Sequence, residues 1–544
     1  MTDFATIPDA PQSDNPDILA GLAHDLTAIN YTVDGVAELL GKDANQALGR
    51  DQTVPAALLL RTNTSPLATL VKVWLVDQSV PAAELAGALP STGVEALLKM
   101  GIVEGAGTPG MVRAAVDLRP YGWPAATEDT AETNLWVASD LGAHQRPGVL
   151  RKDHVLGIGQ ASLTLAQGTM RRTVERALDL GTGCGIQLFH LLSHAKAVVA
   201  TDISERALAF TRFNLALNAQ ALGLTQADLE PTNPGARVSL RLGSLLEPVA
   251  GERFDLVVSN PPFVITPRHR GEQSSEQFTY RDGGMAGDAI VESLVRELPT
   301  VLATGGTAQM LGNWEIQHSA DSTSSGSGTS VLWHTRPAQW LAPGIEAWFI
   351  QREQVSPGGY AETWLQDASQ GRDQVAYANA YEDYLLDFAS REVAGIGFGY
   401  IVLRRPTAQE TVDEPRFEEI LYPIEQPVGP HLADALERAQ WLKAHPDLTF
   451  EYLLVASDVT EERHQKPGAE HPGVILLRQG AGLRRTNLLS TELAGFVSAC
   501  DGDLTAGQII GALAVLMERD DAEFTQSLAR DVRNLVRDGF LLPA

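Results

Sequence analysis

From residue 174 onward, short apolar runs alternate with longer stretches whose apolar positions recur every three or four residues. The first kind predicts buried strands and the second amphipathic helices; their alternation predicts an α/β fold, a parallel sheet covered on both faces. Strands are expected at residues 177–180, 198–201, 238–242, 255–259, 307–311, 346–350 and 399–403. Helices are expected from Ile186 to Leu192, over 205–218 with Ser204 as N-cap, and over 289–298 behind Gly283 and Gly284.

On either side the pattern changes to short helices closing on a strand, and both flanks predict small winged-helix-like α+β domains. The first has helices at 81–89 and 93–100 and strands at 102–104 and 111–118; the second has helices at 491–499, 505–517 and 522–538 and ends Gly539-Phe540-Leu541-Leu542. The expected division is therefore 1–149, 150–405, 406–487 (mixed strands and loops) and 488–544. Residues 319–330 (SADSTSSGSGTS) carry almost no apolar side chains and predict a disordered surface loop. In the last helix Val532, Leu535 and Val536 form a buried stripe, while Arg530, Arg533 and Arg537 share an outer face. That face reads either as a recognition surface for nucleic acid or as a solvated helix side diluted by Asp531 and Asp538.

The net charge of −27 over 544 residues argues against a protein that coats nucleic acid by bulk electrostatics. A local basic strip at Arg268, His269 and Arg270, with Arg281 beyond, remains a candidate phosphate contact. Cys184 and Cys500 are the only cysteines, which excludes a disulfide framework and a cysteine metal site. His190 and His194 stand four apart, but Leu191 occupies the place a zinc protease gives to glutamate, so no metal is expected. The first residues lack a charged-then-apolar leader and no long apolar run follows, so no membrane association and a cytoplasmic location are expected.

Two motifs carry chemistry. A strand ends in Asp179-Leu180-Gly181-Thr182-Gly183-Cys184-Gly185, a turn whose glycines let the backbone approach a ligand closely. The next strand ends at Asp202, about 20 residues further on, the separation expected of an acid that binds ribose hydroxyls. The fourth strand then delivers Asn260-Pro261-Pro262-Phe263. The Asn260 side-chain oxygen and the Pro261 carbonyl, stiffened by Pro262, can accept two N–H groups of one planar nitrogen, and Phe263 can stack on it. A dinucleotide site would need Gly or Ala where Ile186 stands, and Asn-Pro-Pro by itself also ends strands as a plain turn.

Together these motifs resemble class I methyltransferases dependent on S-adenosylmethionine (SAM), in particular those that modify amides and exocyclic amines, over roughly residues 150–405. The resemblance implies a seven-stranded Rossmann-like sheet and a SAM site formed by Asp179, Gly181, Thr182, Gly183, Gly185, Asp202, Ile203, Ser244, Leu245 and Asn260. It implies catalytic positioning by Asn260, Pro261 and Phe263. Ser244 stands where relatives carry an acid near the adenine amino group. His154 to Ala166 falls where such enzymes carry a helix start that closes over the cofactor, with Gln160, Ser162 and Thr164 as its polar contacts. Asn-Pro-Pro followed by Arg281-Asp282-Gly283-Gly284 is most similar to the HemK/PrmC-type enzymes, which implies a glutamine amide in a translation release factor as acceptor. Phe263 in place of tyrosine is familiar in ribosomal RNA guanine methyltransferases, so an RNA or DNA base amine stays open, as does a methyltransferase fold kept as a binding module.

Overall fold

The structure is a computed structural model that describes residues 3–124, 132–142, 145–146, 151–267, 284–318, 332–367, 374–519 and 521–544. The expected loop at 319–330 and the basic residues Arg268, His269, Arg270 and Arg281 lie outside the described residues. Contacts divide the chain into two units: residues 1–166, 173–406 and 414–418 form the first, and residues 167–172, 407–413 and 419–544 the second.

The first unit begins with helices α1 (Pro16–Ala28), α2 (Val33–Leu48), α3 (Val54–Leu60) and α4 (Pro66–Leu70). A small sheet of β1 (Val80–Pro81), β2 (Val103–Gly105) and β3 (Met111–Ala114) encloses α5 (Ala82–Ala88) and α6 (Val94–Met100). The strand expected over 111–118 is two strands. Ala115 donates its N–H to the Ile102 carbonyl at 3.1 Å, and the chain then turns out of this sheet. It continues as β4 (Asp117–Trp123), which pairs antiparallel with β5 (Thr133–Ser139) in a separate ribbon.

The central sheet comprises β6 (Val174–Leu180), β7 (Ala195–Asp202), β8 (Val238–Leu242), β9 (Phe254–Ser259), β10 (Leu302–Gln317), β11 (Glu346–Val355), β12 (Val393–Arg404) and β13 (Arg416–Glu419). Their order is β13-β11-β12-β10-β9-β6-β7-β8. Strands β8 to β10 run parallel with β6 and β7, while β12 is antiparallel to both β10 and β11. The parallel members are apolar on both faces because helices cover both. The helices of this part of the chain are α7 (Gln160–Gly168), α8 (Ile186–Leu191), α9 (Glu205–Leu217), α10 (Ala289–Glu297), α11 (Thr335–Ala338), α12 (Pro357–Asp367) and α13 (Gln374–Ser390).

The sheet thus has eight strands where the sequence predicts seven. The extra edge strand is held by side chains: Arg416 lies over the Trp348 ring at 4.8 Å, and the Trp348 indole donates to Glu418 at 3.1 Å. Its four residues, Arg-Phe-Glu-Glu, carry no apolar alternation that would mark them as a strand. The core beneath the sheet contains Leu178, Phe254, Val257, Met310, Trp314 and Phe349.

The second unit holds α14 (Gly429–Ala444), strands β14 (Tyr452–Val455), β15 (Val459–His464), β16 (Val474–Gln479) and β17 (Thr486–Leu489), then α15 (Thr491–Ser498), β18 (Asp501–Thr505), α16 (Ala506–Leu516), α17 (Ala522–Asp538) and β19 (Leu541–Pro543). Asp521 caps α17 through the Phe524 N–H, and Gly539, in the left-handed conformation at φ 85°, ends it. The sequence reading of 406–487 as an α+β connecting region of mixed strands and loops places no particular helix there, and α14 stands in it. Arg533 is not a free outer-face arginine: it donates to the carbonyls of Leu442 at 2.7 Å and His445 at 3.2 Å and so caps α14. Arg530 and Arg537 are exposed. No helix among the described residues is long and apolar enough to cross a membrane.

Candidate active site

Strand β6 delivers Asp179 and the glycine turn to one end of the sheet. Gly181, Gly183 and Gly185 all have positive φ, at 77°, 58° and 97°. A Cβ on Gly181 or Gly183 would meet nothing within 4 Å, whereas one on Gly185 would press on Phe189 and Thr211 at 3.4 Å. The first two therefore border open space, and the third packs the turn onto α9. The N–H groups of Gly181 and Thr182 both donate to the Thr201 carbonyl at 2.9 Å, which ties the turn to β7.

Asp179 is buried. One carboxylate oxygen accepts from the Thr182 hydroxyl at 2.7 Å and the Leu188 N–H at 3.0 Å, which fastens the start of α8. Its other oxygen has no partner. Burial pushes this carboxyl up to about 7. Asp202 accepts from the Gly183 N–H at 3.0 Å and the Ser204 N–H at 2.9 Å, and burial raises its pKa as well.

Strand β9 brings Asn260 and Pro261 to the same end. A cavity of about 410 Å3 is lined by Gly181, Thr182, Gly183, Asp202, Ile203, Ser244, Leu245, Asn260 and Pro261. Asp179, Gly185 and Phe263 are not part of that lining. Phe263 instead packs half-buried against the central core, and its carbonyl accepts from the Asn313 amide at 2.7 Å. Of the three polar side chains expected from α7, Ser162 reaches the cavity; Gln160 is exposed, with its amide 3.4 Å from the Thr164 hydroxyl. Leu245 adopts φ 47°, a left-handed conformation that costs about 1–3 kcal/mol and persists here at the cavity wall.

Asp153 to Gly157 also line the cavity, at the start of the segment 154–166 expected to close over the cofactor. Residues that sequence reasoning missed hold the site in shape: buried Arg206 donates to Asp140 at 2.7 and 2.9 Å and to the Asp153 carbonyl at 2.8 Å. His154 in this lining is held below its ordinary pKa by burial. From α9, Thr211 donates to the Gly183 carbonyl at 2.8 Å and Asn214 to the Cys184 carbonyl at 2.9 Å. The exit of the Asn260 loop is clamped by Asn313 and by Tyr360, whose hydroxyl accepts the Ile265 N–H at 2.7 Å. His190 lies 2.6 Å from the Tyr121 hydroxyl, and its ring packs tilted against Trp123 with centroids 4.3 Å apart. Among the described residues no group of His, Cys, Asp and Glu is placed to hold a metal.

One glycine cradle and one buried, unpartnered acceptor, Asn260 Oδ1, meet in a single cavity. Residues 141–320 match the family described as Methyltransferase small domain. Residues 28–115 and 433–543 match two families described as Domain of unknown function, DUF7059 and DUF7782. The chain is 32% identical over 151 residues to release factor glutamine methyltransferase of Geobacter sulfurreducens, covering 26% of this chain and 47% of that protein. It is 32% identical over 168 residues to ribosomal protein uL3 glutamine methyltransferase of Bradyrhizobium diazoefficiens, covering 29% of this chain and 46% of that protein. It therefore spans about half the length of these curated relatives. A Thermus thermophilus 16S rRNA N2 G1207 methyltransferase, solved with AdoMet and guanosine, aligns at 17% identity and TM-score 0.22 over 43% of this chain and 55% of that one.

The residues lining this cavity fit SAM. The open faces of Gly181 and Gly183 leave room for a ligand that an alanine would fill. Asp202, Ser244, Leu245 and Asn260 line the same cavity.

Proposed function

We propose that this chain transfers a methyl group from SAM to the side-chain amide nitrogen of a glutamine in a protein. The observation that carries the reading is Asn260 Oδ1, buried at the cavity wall without a hydrogen-bond partner. Leaving such an acceptor unsatisfied costs about 1–3 kcal/mol, a cost relieved when a ligand brings an N–H to it. The neighbouring Pro261 carbonyl, held by the ring of Pro262, offers a second acceptor. A primary amide has two N–H groups to match them. The curated relatives named for glutamine methylation support the choice of acceptor.

SAM supplies a methyl group already activated by its sulfonium. The chain's own work is binding, orientation and exclusion of water. Gly181, Gly183, Asp202 and Ser244 would hold the cofactor. Asn260 and Pro261 would draw the acceptor's protons sideways, which turns the nitrogen lone pair away from its carbonyl. Asn260 is neutral and takes no proton, so the proton leaves for solvent from the newly methylated, acidic nitrogen.

The test is incubation with methyl-labelled SAM and total cell extract, followed by protease or ribonuclease. Label released by protease and recovered as N-methylglutamine supports the reading; label released only by ribonuclease replaces the glutamine with a base amine. No transferred label above that of an Asn260→Ala control defeats the enzyme reading itself.

A further inference from the structure

A second concavity, of about 440 Å3, lies at the β7–β8 edge of the sheet and is lined by Arg176, Arg212, Arg237 and Arg241. Four arginines in one cavity stand out in a chain of net charge −27. Two of them share one carboxylate: Arg176 and Arg241 both pair with Glu252. The other two have no such pairing. Arg212 donates to the Leu229 carbonyl at 3.0 Å, and Arg237 to those of Gly223 at 3.3 Å and Leu192 at 3.1 Å; among the described residues neither forms an ion pair.

Arg212 is 7% exposed and its Nε has no partner. Burying a guanidinium that forms no ion pair is costly, and burial lowers the Arg212 pKa even though Asp3 and Glu230 oppose that fall. Glu230 is the one carboxylate among the cavity-lining residues. Guanidinium forks match the geometry of a tetrahedral oxyanion, and such an anion adds to the partial compensation that Asp3 and Glu230 give Arg212 and Asp228 gives Arg237.

We propose that this cavity is a second ligand site that binds a phosphate group, with Arg212 and Arg237 as its direct donors. Arg176 and Arg241 add to the positive field. The volume accommodates a phosphate with a small group attached, so the phosphate belongs either to a free inorganic anion or to a nucleotide. The site is separate from methyl transfer: the two cavities share no lining residue.

The test is calorimetric titration of the full chain at low ionic strength with inorganic pyrophosphate and, separately, with ADP, the methyl-donor site being saturated with SAM. Saturable binding of at least one probe is expected. Tighter ADP binding identifies a nucleotide ligand, and equal affinity identifies the phosphate itself. Arg212→Gln and Arg237→Gln should each weaken binding about ten-fold or more, the value of a charge-assisted hydrogen bond, with SAM affinity unchanged. If Arg212→Gln fails to fold, Arg237→Gln decides, with SAM binding reporting its fold. No saturable heat from either probe, or undiminished binding in Arg237→Gln, overturns the proposal.

Discussion

Asn214 joins the glycine turn to the amino-terminal ribbon: its amide donates to the carbonyls of Cys184 and Ala138, both at 2.9 Å, while its oxygen accepts the Ala138 N–H at 2.7 Å. One helical turn on, Asn218 repeats the pattern, accepting the Trp136 N–H at 2.9 Å and donating to its carbonyl at 2.7 Å. The two amides act as a surrogate strand for β5. Asn214→Ala would leave two main-chain carbonyls and one N–H unpaired in a buried place. We expect a loss of about 2–4 kcal/mol in urea unfolding and a SAM affinity weakened about ten-fold. Unchanged SAM binding in a destabilised variant would show that the ribbon does not support the turn.

The Asn260 loop is secured from outside the motif by Asn313 and Tyr360. Asn313→Ala removes the donor to the Phe263 carbonyl. Turnover is expected to fall about ten- to hundred-fold with SAM affinity kept, since a small misplacement of the acceptor holder is enough. Tyr360→Phe, which removes the acceptor for the Ile265 N–H, should act in the same direction. Single-turnover methylation separates this from a folding defect, which would lower both quantities.

Asn260 and Asp202 should separate chemistry from binding. Asn260→Ala is expected to lower the chemical step by about two to four orders of magnitude with little change in SAM affinity. Asp202→Ala loses the bonds to Gly183 and Ser204, so it should weaken SAM binding about ten-fold or more. Calorimetry for SAM and a labelled-methyl assay together check both; the reverse assignment of effects would exchange their roles.

Asp179 gives stability a pH dependence. Its carboxyl is pushed up to about 7 in the fold from an ordinary value of 3.8, so between those values the folded chain binds more protons than the unfolded one. Stability therefore falls as pH rises from about 4 to about 7 and levels above it, by up to about 4 kcal/mol at about 1.4 kcal/mol per pH unit. Asp202, raised in the same direction, adds to the slope. Asp179→Asn keeps an acceptor for Thr182 and Leu188 and should be the more stable protein at pH 8, with a flatter profile. Urea midpoints across this pH range check it; a variant that is less stable at pH 8 contradicts it.

The motifs were legible because each depends on local backbone chemistry. Gly181, Gly183 and Gly185 need positive φ, and Asn260-Pro261-Pro262 needs a stiff exit from an apolar strand; both can be read within a few residues. The edge strand at Arg416–Glu419 could not be read that way, because an arginine on Trp348 and an indole on Glu418 hold it in place of an apolar stripe. Phe263 was readable as an aromatic beside the acceptor, but the cavity excludes its ring because the core claims it. Arg533 looked like a surface charge until α14, unread in the sequence, supplied carbonyls for it to cap.

The amino-acid sequence alone determined seven of the eight strands of the central sheet, the glycine turn, Asp202 at the end of its strand and the Asn-Pro-Pro loop, since all are set by propensity and spacing within one segment. Only the tertiary structure decided that Asn214 braces the turn, that Asn313 and Tyr360 clamp the loop, and that four arginines meet in a second cavity. The reason is that a polar side chain on a helix or strand has the same periodicity whether it faces water or a buried carbonyl. Which of these it meets depends on partners 30 to 95 residues away in the chain, and packing alone brings those together.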